Sequence, residues 1–170
     1  MADAADVLSD QLRVQLQRLA KLLLPHVDRL AQRFLARLRT LDYGPKQRSA
    51  LAEITVGAAA RILCERRPLL EFIEHVEYNG RRLAKLNLPP SSILAALQEY
   101  DRLLTSVLID LAPAEHANFQ WVREQLSFCV TLTLNNAYYQ VREAETQAFY
   151  ELFRVELESW NLDELLRRFL

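Results

Sequence analysis

The chain has 170 residues, 51% hydrophobic and 25% charged, enough apolar material for one sizeable core and too much for a disordered tail. Twenty-one Lys and Arg stand against 22 Asp and Glu, a formal charge of −1, so bulk charge draws the chain neither to nucleic acid nor to an anionic membrane. No apolar run approaches the ~20 residues of a membrane span, and the N-terminus lacks a basic-plus-apolar signal pattern, which together point to a cytoplasmic protein.

Three glycines and six prolines punctuate the chain mostly where helical periodicity is interrupted, as expected of an all-α protein. A first helix is predicted from about Asp6 to Leu24, with Leu8, Leu12, Leu16, Leu19 and Leu23 on one face. Pro25 opens a second, whose apolar face is Val27, Leu30, Ala31, Phe34, Leu35 and Leu38. Asp42-Tyr43-Gly44-Pro45 reads as a turn, followed by a single helix from about Lys46 to Cys64. Pro68 opens a fourth helix, Leu69 to about Leu86, which Pro89-Pro90 closes. Ser91 or Ser92 then caps a helix carrying Ile93, Leu97, Tyr100, Leu104, Val107 and Leu111. After Pro113 a pattern free of Gly and Pro runs from about Ala114 to Trp160, with Phe119, Val122, Leu126, Cys129, Thr133 and Ala137, then Phe149, Leu152 and Val155, expected inside. Such a helix protrudes beyond a domain of this size and needs a cover or an extension. Asn161 reads as the N-cap of one more short helix.

Residues with chemistry are sparse. Cys64 and Cys129 have no metal-type spacing and read as two buried thiols acting as small hydrophobes. His26, His75 and His116 lack His or Cys partners at i+3 or i+4, and no phosphate-loop, nucleophile-elbow or zinc-protease string occurs, so no metal site or catalytic residue is expected. His75 beside Glu74 and Glu77 reads as a half-exposed surface histidine paired with a carboxylate, the sharper alternative being a haem ligand or phospho-acceptor. Arg66-Arg67, Arg81-Arg82 and Arg167-Arg168 read as solvated faces rather than phosphate sites. Asn135-Asn136 and Tyr138-Tyr139 on the long helix read as an inter-helix hydrogen-bond network rather than a ligand pocket.

The stretch from Leu70 to Glu99, LEFIEHVEYNGRRLAKLNLPPSSILAALQE, resembles the corresponding region of globin-coupled sensors. There a basic helix leads through a Leu-x-Pro corner, here Leu88 and Pro90, into a helix with Ala96, Gln98 and Glu99. The segment around Arg33-Phe34-Leu35 is similar to the B helix of that family, and the resemblance extends over Leu8 to Arg142. It implies a globin-like helical bundle over residues 1–142, with 143–170 a helical connector and the start of a following domain. The family's proximal histidine, five residues before the corner leucine, falls on Leu83, and its distal tyrosine on Leu35. The resemblance is therefore to a non-haem member, with no cofactor favoured. Its pocket, lined by Phe34, Leu35, Phe72, Leu83, Leu86 and Leu97, is expected either to be filled by side chains or to hold a small apolar ligand such as a fatty acid.

The tail Asn161-Leu162-Asp163-Glu164-Leu165-Leu166 resembles the first helix of a GAF domain in bacterial sensor kinases, which implies the N-terminal region of a signalling protein whose kinase or other output lies elsewhere. Trp121, Phe128, Leu132 and Tyr139 lie off the inward stripe of the long helix and imply a homodimer formed by the helix after Pro90 and the long helix after Pro113. Three readings follow: a non-enzymatic sensor and signal-transmission domain, a haem-based gas sensor using another ligand, or a purely structural dimerisation domain.

Overall fold

In a computed structural model, residues 10–169 are described, and all secondary structure among them is helical. Seven α-helices follow in order: α1 (Asp10–Leu23), α2 (Val27–Thr40), α3 (Pro45–Ala52), α4 (Val56–Cys64), α5 (Leu69–Lys85), α6 (Pro90–Leu111) and α7 (His116–Phe169). Short 3₁₀ turns at Leu24–His26 and Pro113–Glu115 join α1 to α2 and α6 to α7. Pro25 thus sits in a tight connector between two nearly continuous helices rather than opening the second.

The expected single helix from Lys46 to Cys64 is two. It breaks at Glu53–Thr55, where the Thr55 hydroxyl accepts from the Ala58 amide at 3.2 Å and donates to the Ala52 carbonyl at 3.1 Å. Threonine satisfies a helix end in this way as readily as it joins a helix interior, and periodicity alone does not separate the two uses. At the start of α6 neither Ser91 nor Ser92 caps. Pro89 occupies the N-cap with Pro90 at the first turn, where its missing amide costs nothing.

Helices α2, α4 and α5 end alike, on residues with positive φ: Asp42 at 63°, Arg66 at 61° and Asn87 at 57°. In each, the next amide reaches five residues back, Tyr43 to Leu38, Arg67 to Ile62 and Leu88 to Leu83, satisfying a terminal carbonyl. The Leu-x-Pro corner is therefore a left-handed helix stop followed directly by a proline start, with Leu88 tucked into the core.

The core is one cluster drawn from all seven helices, with Phe34, Phe72, Leu23, Leu38, Leu51, Leu83, Leu104 and Leu108 fully enclosed. The broadest contact is α5 against α7. Gly80 makes it close: a Cβ there would meet the Ala137 Cβ at 3.1 Å and a Leu134 methyl at 3.2 Å. Helices α1 and α4, and α2 and α6, form the other main pairs.

The 54 residues of α7 span about 80 Å at ~1.5 Å per residue. Its buried face is Phe119, Val122, Arg123, Leu126, Val130, Leu134, Ala137 and Val141. Cys129 and Thr133, expected on that face, are only half-buried, because the contact with α5 turns the face onto Val130 and Leu134. Phe149, Leu152 and Val155, expected inside, are 68%, 68% and 58% exposed, since burial stops near Val141 and no other described helix reaches them. The helix does not pause at Asn161, so the expected cap and extra helix are absent: helical geometry continues to Phe169. Among the described residues no helix is long and apolar enough to cross a membrane.

Candidate functional site

Because α7 lies mainly along α5, its contact with α6 is looser, and a cavity of about 480 Å³ opens between α6 and α7. The volume falls within the range of small-molecule sites, roughly 300–1,000 Å³. Ile54, Thr55 and Val56, from the break between α3 and α4, and Phe72 of α5 contribute to its lining. Helix α6 contributes Leu94, Leu97, Gln98, Tyr100, Asp101 and Thr105, one face at three- and four-residue steps. Helix α7 contributes His116, Gln120, Arg123, Glu124, Leu126, Ser127, Val130 and Thr131.

Three side chains of this lining carry a buried polar atom without a hydrogen-bond partner: the Tyr100 hydroxyl, His116 Nδ1 and Arg123 Nε. Buried polar atoms are nearly always paired, so three on one cavity mark it out. Arg123 is 6% exposed. Its Nη1 donates to Asp101 Oδ1 at 3.0 Å and to the Thr105 hydroxyl at 2.9 Å, while Nε and Nη2 make no hydrogen bond among the described residues. Asp101 and Thr105 are one turn apart on α6, and Thr105 is itself fixed by donating to the Asp101 carbonyl at 2.8 Å. A guanidinium taken out of water costs several kcal/mol, and one half-exposed carboxylate with one hydroxyl offsets only part of that.

Tyr100 stands with its ring edge-on to Phe34 at 5.2 Å, and burial pushes its phenol up to about 12. Its hydroxyl lies beside Thr55 and the Gly57 backbone without a well-aligned hydrogen bond to either. Gly57 is what admits it, since a Cβ there would fall 2.3 Å from the hydroxyl oxygen.

The six residues expected to form a pocket are not gathered around this cavity. Only Phe72 and Leu97 line it. Phe34 and Leu83 are fully enclosed in the core, and Leu35 and Leu86 are half-buried. A second cavity, also about 480 Å³, is lined by Leu41, Asp42, Tyr43, Gln47, Leu88, Ser92, Ala95 and Glu99, and holds none of the six. His75 is half-buried on α5 and lines neither cavity. Among the described residues no group of three or more His, Cys, Asp or Glu side chains could hold a metal ion.

Asn135 and Asn136 make no network, being half-buried and exposed respectively. The enclosed amide is Asn79, which donates to the His75 carbonyl at 3.0 Å and accepts from Arg82 at 2.9 Å. Cys64 and Cys129 are half-buried rather than enclosed, and partial burial raises both thiols above their usual range. The short basic runs are solvated where described: Arg67 pairs with Glu65 and Glu71, and Arg81 with Glu77.

Trp121, Phe128, Leu132 and Tyr139 face outward, 39%, 63%, 54% and 67% exposed. Phe128 and Phe149, and in a second column Leu132, Tyr139, Phe153 and Trp160, repeat at multiples of seven, so the outward stripe continues onto the protruding half of α7. Arg123, the central residue of the cavity, was legible as an anomaly: a basic residue at a stripe position, four after Phe119 and three before Leu126. No family model, curated protein or solved structure matches the chain.

Proposed function

We propose that this chain is a non-enzymatic sensor and signal-transmission module of the globin-like, non-haem type, acting as a homodimer through α7. One observation carries the reading: a single unbroken helix lines a small-molecule-sized cavity at one end and presents an uncovered apolar stripe at the other. A ligand between α6 and α7 changes the seat of α7 by whatever affinity it has for one seat over another. A small shift or rotation at residues 116–131 is then carried along the helix to a seam pairing two copies, and to any output domain joined to it. The column Leu132, Tyr139, Phe153 and Trp160, at multiples of seven and interrupted only by Thr146, supports pairing of like helices.

The haem-free part of the proposal rests on Leu83, an enclosed side chain without a lone pair where the resemblance places the axial imidazole. Haemin mixed with the protein and passed through a desalting column should leave no sharp Soret band. A retained band that disappears in His75→Ala overturns this part. Sedimentation at tens of micromolar should give a dimer, and Phe128→Glu with Leu132→Glu a monomer of unchanged helicity. A monomeric parent chain overturns the transmission mechanism.

A further inference from the structure

The chemistry of the cavity narrows what it takes. We infer that the α6–α7 cavity binds a small monocarboxylate with a compact apolar body, its carboxylate held by the Nε/Nη2 edge of Arg123. The inference rests on the sensor reading for its biological role, but not for its chemistry.

Arg123 is more than nine-tenths buried and lines the cavity, and its Nη1 is already held by Asp101 and Thr105. Those two anchors on α6 hold the guanidinium plane in place. The two remaining donors sit side by side on one edge, the arrangement that matches both oxygens of one carboxylate. A neutral amide or alcohol lacks the second charged oxygen and so forfeits the bidentate, charge-assisted pairing that a carboxylate makes with this edge.

Desolvation favours a ligand with a single negative charge. Asp101 and Glu124 both line the cavity, Asp101 engaged with Arg123 and Glu124 accepting from Gln120 at 3.0 Å. Asp101 is half-exposed and Glu124 exposed, so both are screened and the buried Arg123 attracts an anion. That attraction grows linearly with ligand charge, whereas the cost of stripping water from the ligand grows roughly with its square, so a monoanion is favoured over a dianion such as phosphate. The remaining wall of Ile54, Val56, Phe72, Leu97, Leu126 and Val130 is aliphatic and aromatic, and suits a compact apolar body. Tyr100 and His116, each with an unpartnered polar atom, are further polar groups of the same lining.

The test is calorimetric titration of the whole chain with 3-phenylpropanoate, its neutral amide and inorganic phosphate. The acid should bind roughly tenfold or more tightly than the amide, and phosphate should not compete. Arg123→Gln should abolish the preference for the acid. Equal binding of acid and amide, binding of neither, or a preference that survives in a folded Arg123→Gln overturns the inference, as does effective competition by phosphate. Should Arg123→Gln fail to fold by circular dichroism, the comparison of acid with amide on the parent chain decides alone. A spin-label distance across the α7 pair, recorded with and without the acid, separates the two readings. Acid-selective binding with an unchanged distance upholds the carboxylate site and removes the sensor role. No binding to a chain that is still dimeric overturns the carboxylate site and leaves the sensor reading standing.

Discussion

The two halves of α7 have the same local character and opposite surroundings. Residues 116–141 bury Phe119, Val122, Leu126, Val130, Leu134, Ala137 and Val141 against the other helices, whereas Phe149, Leu152, Phe153, Val155 and Trp160 on the second half are more than half exposed. Both halves carry apolar residues at helical spacing without Gly or Pro, so local propensity treats them alike. Amphipathic periodicity reports that a face requires a cover, and says nothing of what covers it. In the first half the cover is α5, admitted by Gly80; in the second no other described helix covers the apolar residues.

The sharpest way to break this comparison is to truncate one large side chain in each half. Leu134→Ala, removing an enclosed side chain from the α5–α7 contact, should lower unfolding free energy by about 2–5 kcal/mol in urea titration. Phe153→Ala should change the monomer's stability by less than about 0.5 kcal/mol and act instead on the concentration dependence of dimerisation. Equal losses in both, measured at a concentration where the chain is monomeric, would show that the distal half is packed.

The next effect belongs to the packed half and appears only in alkali. Tyr100 has its phenol raised from 10.0 to about 12, so the native state holds a proton that the unfolded chain releases. Below pH ~10 both states are protonated and the group contributes no pH dependence. Between pH ~10 and ~12 the unfolded state binds fewer protons, so stability should fall as pH rises, by at most about 3 kcal/mol in total. Urea midpoints over this range should decline less steeply in Tyr100→Phe; parallel declines would remove Tyr100 as the cause.

Gly57→Ala sharpens the same region, because the new methyl collides with the Tyr100 hydroxyl and should cost about 1–3 kcal/mol. Adding Tyr100→Phe removes the colliding oxygen and should restore much of the loss, a coupling that a double-mutant cycle measures. Additive losses would place the strain elsewhere. The smallest effect lies on the distal half. Arg154 and Glu158 are 3.8 Å apart with side chains 73% and 72% exposed, and Arg154→Ala should change the unfolding free energy in urea titration by no more than a surface ion pair warrants, under about 0.5 kcal/mol.

Much of the fold was legible in the chain. The apolar stripes of α1, α2, α5 and α6 follow a 3.6-residue period, and the corner at Leu88 to Pro90 ends one helix and starts the next through backbone chemistry visible in the residues themselves. The break at Thr55 was not legible, because a threonine that caps and a threonine inside a helix look alike until the chain on either side is placed. The cavity was not legible either. Its residues come from four stretches of chain, 54–56, 72, 94–105 and 116–131, and only packing brings them together.

What the sequence determined by itself was helix: where α2, α5 and α6 begin and end to within a few residues, which faces are apolar, and that one helix is far longer than the domain beside it. These properties follow from dihedral preferences and side-chain spacing within single segments. Tertiary structure alone decided how far α7 is covered, which of its neighbouring stripe positions turned inward, and that Arg123 would be enclosed with part of its guanidinium unpartnered. Each of those depends on the distance between helices remote in sequence, which is set by the packing of whole side-chain volumes and by the small residues, Gly57 and Gly80, that allow close approach.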